Sequence, residues 1–172
     1  MQYFHNMVNL MNNLELTIQW VTPYGVQISQ RYTKFTKYDI TSAIDGRRRK
    51  VVLRRVELDG NNNCCINIKK QVNSFIPNFI HSMDASNIVL LVKRIKQDFN
   101  FNVVTIHDCF GANYAELLSH LVKESFIDIY GNKDCIDKFH SHMLNNIEAV
   151  YKIEGNKVID KDGISHDIPP KT

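Results

Sequence analysis

His107 and Asp108 stand directly after the run Val103-Val104-Thr105-Ile106 and directly before Cys109-Phe110-Gly111. The run reads as a buried strand, because apolar and β-branched residues in unbroken succession suit a strand covered on both faces. A carboxylate at the tip of such a strand is held rigidly where a cleft can open, which suits a catalytic divalent cation. Asp108 suits the start of a turn equally well, since Asp favours strand ends. The pair alone leaves both readings open.

Other groups could also do chemistry. In His81-Ser82-Met83-Asp84, Ser82 or Asp84 can cap a following helix by accepting an orphan backbone N–H. The nine positions 47–55 hold six cations: Arg47, Arg48, Arg49, Lys50, Arg54 and Arg55. They suit contact with a phosphate backbone. They also suit a solvated strand edge that discourages edge-to-edge pairing. His140 and His142 are two apart on a helical stretch, so they point to different faces and are expected in solvent. With His120 they offer a metal-dependent phosphohydrolase no ligand spacing. The four cysteines, Cys64, Cys65, Cys109 and Cys135, show no Cys-x-x-Cys spacing and no disulfide framework. That usage fits a reducing compartment.

The elements that must position these residues are mixed. Tyr3, Phe4, Met7, Val8, Leu10, Met11 and Leu14 recur at helical spacing over residues 1–16. Residues 17–32 read as a hairpin around Pro23-Tyr24-Gly25, where Pro presets φ and Gly supplies a positive φ. Trp20 beside that turn reads as a packing anchor. Residues 33–50 are polar, a strand covers 51–58, and Asp59-Gly60-Asn61-Asn62-Asn63 is a loop. Pro77 interrupts the next stretch, so a helix is expected only from Ala85 to Phe99, with Ile88, Leu91, Val92, Ile95 and Phe99 on one face. Asn113 and Glu116 form a capping-box pattern for a helix ending near Tyr130, with Gly131-Asn132 as its stop. Another helix covers 133–151.

The fold class is therefore α+β, helices packed on antiparallel strands, in a single domain of 172 residues with 44% hydrophobic content. That content excludes a chain disordered by composition. The net charge of +3 does not itself imply nucleic acid. No secretory signal or membrane span is expected, since the apolar run Ile88–Val92 stops at Lys93-Arg94. Asn (18), Ile (19) and Lys (14) are abundant while Ala is rare (5). These residues have AT-rich codons, which hints at an AT-rich genome such as that of an organelle or its plasmid.

Four blocks stand in one order: Gln19-Trp20-Val21-Thr22-Pro23-Tyr24-Gly25, Lys70-Gln71, Pro77-Asn78-Phe79-Ile80-His81-Ser82-Met83-Asp84-Ala85, and Thr105-Ile106-His107-Asp108-Cys109-Phe110-Gly111. Together they resemble the C-terminal part of the single-subunit DNA-dependent RNA polymerases of phages and mitochondria. The branch carried by mitochondrial plasmids is a plausible home, and a mitochondrial location follows from it. The resemblance covers at least Trp20 to Tyr130. Family A DNA polymerases share a related His-Asp block. The Trp-Val-Thr-Pro and Pro-Asn-Phe-Ile-His-Ser blocks distinguish the RNA enzymes.

The resemblance implies part of a right-hand polymerase, palm with adjoining fingers, acting on a DNA template, an RNA product and NTPs. Asp108 matches the second catalytic palm aspartate, a ligand of two Mg²⁺ ions that sit about 3.5–4 Å apart in two-metal sites. His107 matches the histidine that positions the RNA 3′ end or orients Asp108. His81 matches a contact to the minor-groove side of the new base pair, whose acceptors are common to all pairs. Ser82 and Asp84 belong to the same block, and a capping role stays open for both. The arginines of 47–55 match no individual family contact. The family's first catalytic aspartate and its Lys-x-x-x-x-x-x-x-Tyr-Gly fingers helix occur nowhere in the chain. The expectation is a partial palm region, truncated at both ends, that needs the remainder of the polymerase. The alternatives are a non-catalytic nucleic-acid-binding remnant and a palm fragment of a family A DNA polymerase.

Overall fold

The protein is described by a computed structural model covering residues 2–44, 46–106, 109–131 and 134–170. The expected roles of His107 and Asp108 therefore lie outside the described residues.

The helical spacing near the N-terminus forms α1 (Gln2–Asn13), and its apolar stripe is buried. The hairpin follows as β1 (Ile18–Val21) and β2 (Gln27–Gln30), antiparallel, with Trp20 opposite Ile28. Gly25 has φ +96°, the left-handed value its turn requires. A longer ribbon comes next, β3 (Phe35–Ile44) paired along its whole length with β4 (Arg47–Val56). The expected strand 51–58 thus begins at Arg47 and has a partner that polar residues 33–50 concealed. Every residue of β4 from Arg47 to Arg55 is exposed, so both faces of the ribbon are open. Its base is tied down by bridges between Thr33 and Ile66 and between Leu58 and Cys64.

The main correction concerns the next element. Pro77 does not end a helix. Instead α2 runs unbroken from Ile68 to Arg94 and continues as a π-helical turn, Ile95–Phe99. Proline inside a helix removes one hydrogen bond and costs about 3 kcal/mol. Tertiary packing on both sides of Pro77 offsets that loss. Phe75 and Phe79 stack at 5.7 Å, and Phe75 meets Trp20 edge-on at 5.5 Å. Aromatic pairs of this kind add about 0.5–1.5 kcal/mol each beyond burial. The N-cap is Asn67, whose side chain accepts from the Lys70 N–H at 3.0 Å. Ser82 and Asp84 are mid-helix and cap nothing. By length and apolar content alone the stretch Ile68–Phe99 could cross a bilayer, contrary to the expected absence of such a segment. Its buried face holds Gln71, Ser82, Ser86 and Asn87 beside Phe75, Met83 and Leu91, so it is the central core helix here.

After α2, β5 (Val103–Ile106) pairs antiparallel with β6 (Cys109–Ala112), with Ile106 opposite Cys109. The expected burial of this strand is not found: Val104 and Ile106 are 63% and 65% exposed. Only one side of the hairpin is covered, where Val103 and Phe110 pack on Leu91, Leu118 and Leu121. Helix α3 (Ala115–Tyr130) begins one residue later than the Asn113 capping box requires. Tyr114 is its cap and makes no side-chain cap bond; its phenol oxygen is too far from its own backbone to accept from the first turn as Asn would, and the shift moves Glu116 out of the reciprocal position. Gly131 closes α3 at φ −71°, a right-handed value, rather than as a left-handed glycine cap.

Helix α4 (Asp134–Glu148) packs Phe139, Met143 and Ile147 against α1 and β1. His140 is buried, not solvated as expected: it lies 2.6 Å from the Tyr3 hydroxyl. Burial, and then the charge of Asp137, push the Tyr3 phenol up to about 12. The chain ends in a meander, β7 (Lys152–Glu154), β8 (Lys157–Ile159) and β9 (Ser165–Asp167), whose Val158 and the following Ile168 close the core. All pairings are antiparallel, and the class is α+β as expected.

Candidate active site and nucleic-acid interface

The central helix gathers the motif blocks. Trp20 is buried and donates its indole N–H to the Ser82 hydroxyl at 2.9 Å. Ser82 in turn donates to the Phe79 carbonyl at 2.7 Å. About three turns earlier, Gln30 and Gln71 are both buried and exchange side-chain donors for backbone carbonyls, each at 2.9 Å. The Gln71 side-chain amide oxygen, Oε1, accepts from the Tyr32 N–H at 3.1 Å. The Asn78 amide completes the set, donating to Gln30 at 2.8 Å and to the Tyr32 hydroxyl at 3.0 Å. A buried polar group without a partner costs roughly 1–3 kcal/mol, so this reciprocal set holds the β1–β2 hairpin on α2 in one register.

That clamp leaves His81 exposed. Together with Asn78, Gln30, Arg31 and Tyr32 it lines a cavity of about 340 Å³ between α2 and β2. One turn further, Asp84 accepts from the Tyr130 hydroxyl at 2.7 Å. Burial chiefly, and then that bond and the Asp84 charge, raise the Tyr130 phenol well above its usual range. Asp84 also lines a second cavity, about 310 Å³, with Asn87, Ile88 and Phe110. The block around His81 and the block around Phe110 therefore face one space. Asn87 in its wall accepts a short hydrogen bond from the Ser125 hydroxyl of α3.

A sequence profile described as DNA-dependent RNA polymerase matches residues 2–167. The chain belongs to that family. A probable DNA-directed RNA polymerase of Neurospora crassa is 42% identical over 167 residues, covering 95% of this chain and 18% of that protein. One of Agaricus bitorquis is 34% identical over 148 residues, covering 84% and 13% respectively. The mitochondrial DNA-directed RNA polymerase of Mus musculus is 27% identical over 153 residues, covering 87% and 12%. The chain thus spans less than a fifth of the length of these relatives.

The arginines do not form one cluster: Arg47, Arg48, Arg49 and Lys50 lie at the far end of the ribbon, Arg54 and Arg55 near its base. Lys50 pairs with Asp39 at 2.6 Å, both largely exposed, an arrangement worth little. His120 sits 3.6 Å from Glu124 on α3, while His140 bonds Tyr3 on the opposite side of the core. Among the described residues no three His, Cys, Asp or Glu side chains converge as a metal site. The described residues therefore do not by themselves fit a two-ion centre, and the phosphohydrolase reading has no ligand set among them. Sequence reasoning missed Gln30, Tyr32 and Asn78 as a unit. Their partners lie about forty residues away, and no local pattern carries that separation.

Proposed function

We propose that this chain supplies part of the palm and adjoining fingers of a single-subunit DNA-directed RNA polymerase. It holds one aspartate of the catalytic centre and needs the remainder of a polymerase to act. The observation that carries the reading is the gathering of the family's sequence blocks on one helix. The Trp20 block is bonded to Ser82, the Gln71 block to Gln30, and Asp84 shares a cavity with Phe110. In this reading Asp108 is a ligand of Mg²⁺, and the other carboxylates come from outside these 172 residues. Bound ions of this type activate the attacking 3′-hydroxyl and stabilise the departing pyrophosphate. His107 positions the RNA end.

His81 stands on an open cavity between two anchored elements, a suitable place to touch the minor-groove edge of a new base pair. Ser82 and Asp84 hold that turn of α2 through Trp20 and Tyr130. Arg47, Arg48, Arg49, Lys50, Arg54 and Arg55 meet nucleic-acid phosphates. The partners are a DNA template, an RNA product, NTPs and the rest of the polymerase. The mitochondrial names of several relatives support a mitochondrial location, with coding by the organelle or a plasmid. The test is RNA synthesis by the purified chain with Mg²⁺, NTPs and a primed template. No product is expected from the chain alone, and product is expected once the upstream part of the Neurospora relative is added. Product from the chain alone, or none from the pair when both parts are folded, would overturn the reading.

A further inference from the structure

Among the described residues, Asn12 is the buried side chain whose polar atoms, Oδ1 and Nδ2, both lack a hydrogen-bond partner. It is 4% exposed. A buried amide in that condition is destabilising, and folded proteins pair almost all such groups. Asn12 lines a cleft of about 390 Å³. Three parts of the fold build its wall. Glu15 and Leu16 follow α1, Cys65 and Ile66 lead into α2, and Val150 and Tyr151 follow α4. The helix stop fixes the first part: the Leu16 N–H donates to the Met11 carbonyl at 2.9 Å, and the Glu15 N–H to the Asn12 carbonyl at 3.1 Å. Glu15 holds φ +56° there, a left-handed position that glycine usually fills. The Tyr151 hydroxyl donates to the Leu14 carbonyl at 2.9 Å and ties the third part to the first.

A carboxamide presents a donor and an acceptor side by side. An extended peptide presents the same pair, since one strand residue shows its N–H and its C=O to the same side. Gln30 and Gln71 already make half of that match in this fold, each side-chain amide donating to the other's backbone carbonyl. Arg31, Lys34 and Lys161 line the cleft. None of the three is within ion-pair distance of a carboxylate among the described residues. Glu15 and Asp59 are the acids in the wall. Asp59 is engaged in its own loop, where it accepts from the Asn61 and Asn63 N–H groups at 2.8 and 2.7 Å. Ile68 and Val150, also in the wall, are 51% and 56% exposed. We propose that this cleft docks an extended acidic peptide segment from outside these 172 residues. Its backbone amide pairs with Asn12, its carboxylates meet Arg31, Lys34 and Lys161, and its apolar side chains cover Ile68 and Val150. Those two exposed side chains are aliphatic, so they give a peptide side chain cover and a nucleobase no stacking face. The site stands apart from the polymerase reading and is tested apart from it.

The test is a nuclear magnetic resonance titration of the isotope-labelled 172-residue chain. The probes are acetyl-Leu-Asp-Ala-Glu-Leu-amide and its basic counterpart, acetyl-Leu-Lys-Ala-Lys-Leu-amide. The acidic peptide should shift the Asn12 side-chain amide saturably, with a Kd of about 1 mM or below. The basic peptide should bind about fivefold more weakly or worse. Asn12→Leu keeps the side-chain shape and removes the amide. With binding read at the Ile68 backbone N–H, it should weaken the acidic peptide about tenfold, because a peptide group is left unpaired. In the free chain the same change should raise Tm by about 2–4 °C, because the orphan amide is gone. Lys34→Gln/Lys161→Gln should weaken the acidic peptide about fivefold, while Lys123→Gln/Lys152→Gln, on other exposed surface, should cost less than about twofold. No saturable shift up to about 10 mM, equal binding of the two peptides, or equal losses in the two lysine pairs would overturn the site. So would an Asn12→Leu chain that binds as well as the wild type, or one whose Tm falls, since a fall shows the amide already satisfied. An oligouridylate that shifts the Asn12 amide as strongly as the acidic peptide would overturn the assignment to a peptide.

Discussion

Asp160 shows how single residues fix the surface of this fold. Its carboxylate accepts from the N–H groups of Asp162 and Ile164 at 2.9 and 2.8 Å, and lies 2.9 Å from His166. The His166 bond first, then the Ile164 N–H, hold the acid below its ordinary value. A carboxyl with a depressed folded pKa contributes stability above its unfolded pKa, about 3.9, and loses it as pH falls through the folded value. The stability gap between wild type and Asp160→Asn should therefore narrow as urea unfolding is taken from about pH 5 to about pH 3. A gap that stays constant over that window would contradict the assignment. Other residues were only partly legible. Trp20 reads as an anchor from its place beside a turn. Its partner Ser82 reads as a cap, because local sequence cannot show a bond across sixty-two positions. His140 reads as exposed because nothing nearby announces Tyr3, 137 residues away.

At the scale of elements, the hairpin 17–32 and the helices near 115–130 and 134–148 follow from their periodicity, which is a local property. Helix α2 does not. The proline signal at Pro77 is correct about local cost and wrong about outcome, since aromatic contacts on both sides keep the helix whole. Pro77 is itself exposed, so Pro77→Ala should restore the backbone bond to Asn73 without disturbing the core. A gain of about 1–3 kcal/mol is expected, the helix penalty less the unfolded-state advantage of proline. Urea unfolding measures it, and a loss of stability would show that the proline is needed where it stands. The ribbon β3–β4 was half legible for a related reason. Its strands have no buried face to impose alternation, so only the charge-dense half announces itself. The exposed face of β5–β6 is the converse: its apolar run signals cover that this chain does not supply for Val104 and Ile106.

At the scale of the molecule, α2 works as a spine. The larger core joins its first half to α1, α4 and the terminal meander, and the smaller core joins its second half to α3 and β5–β6. The order of the motif blocks becomes intelligible there, since blocks far apart in sequence meet along one helix. The central claim is that this chain carries a working part of a polymerase centre. The most direct measurement replaces the matching 167-residue segment of the Neurospora relative with this chain, then compares primed RNA synthesis by the chimera with that of the same chimera carrying Asp108→Asn. The account predicts synthesis by the first and a loss of about a thousandfold in the second, the scale of removing a metal ligand that stabilises transition-state charge. Equal synthesis by the two chimeras would contradict it.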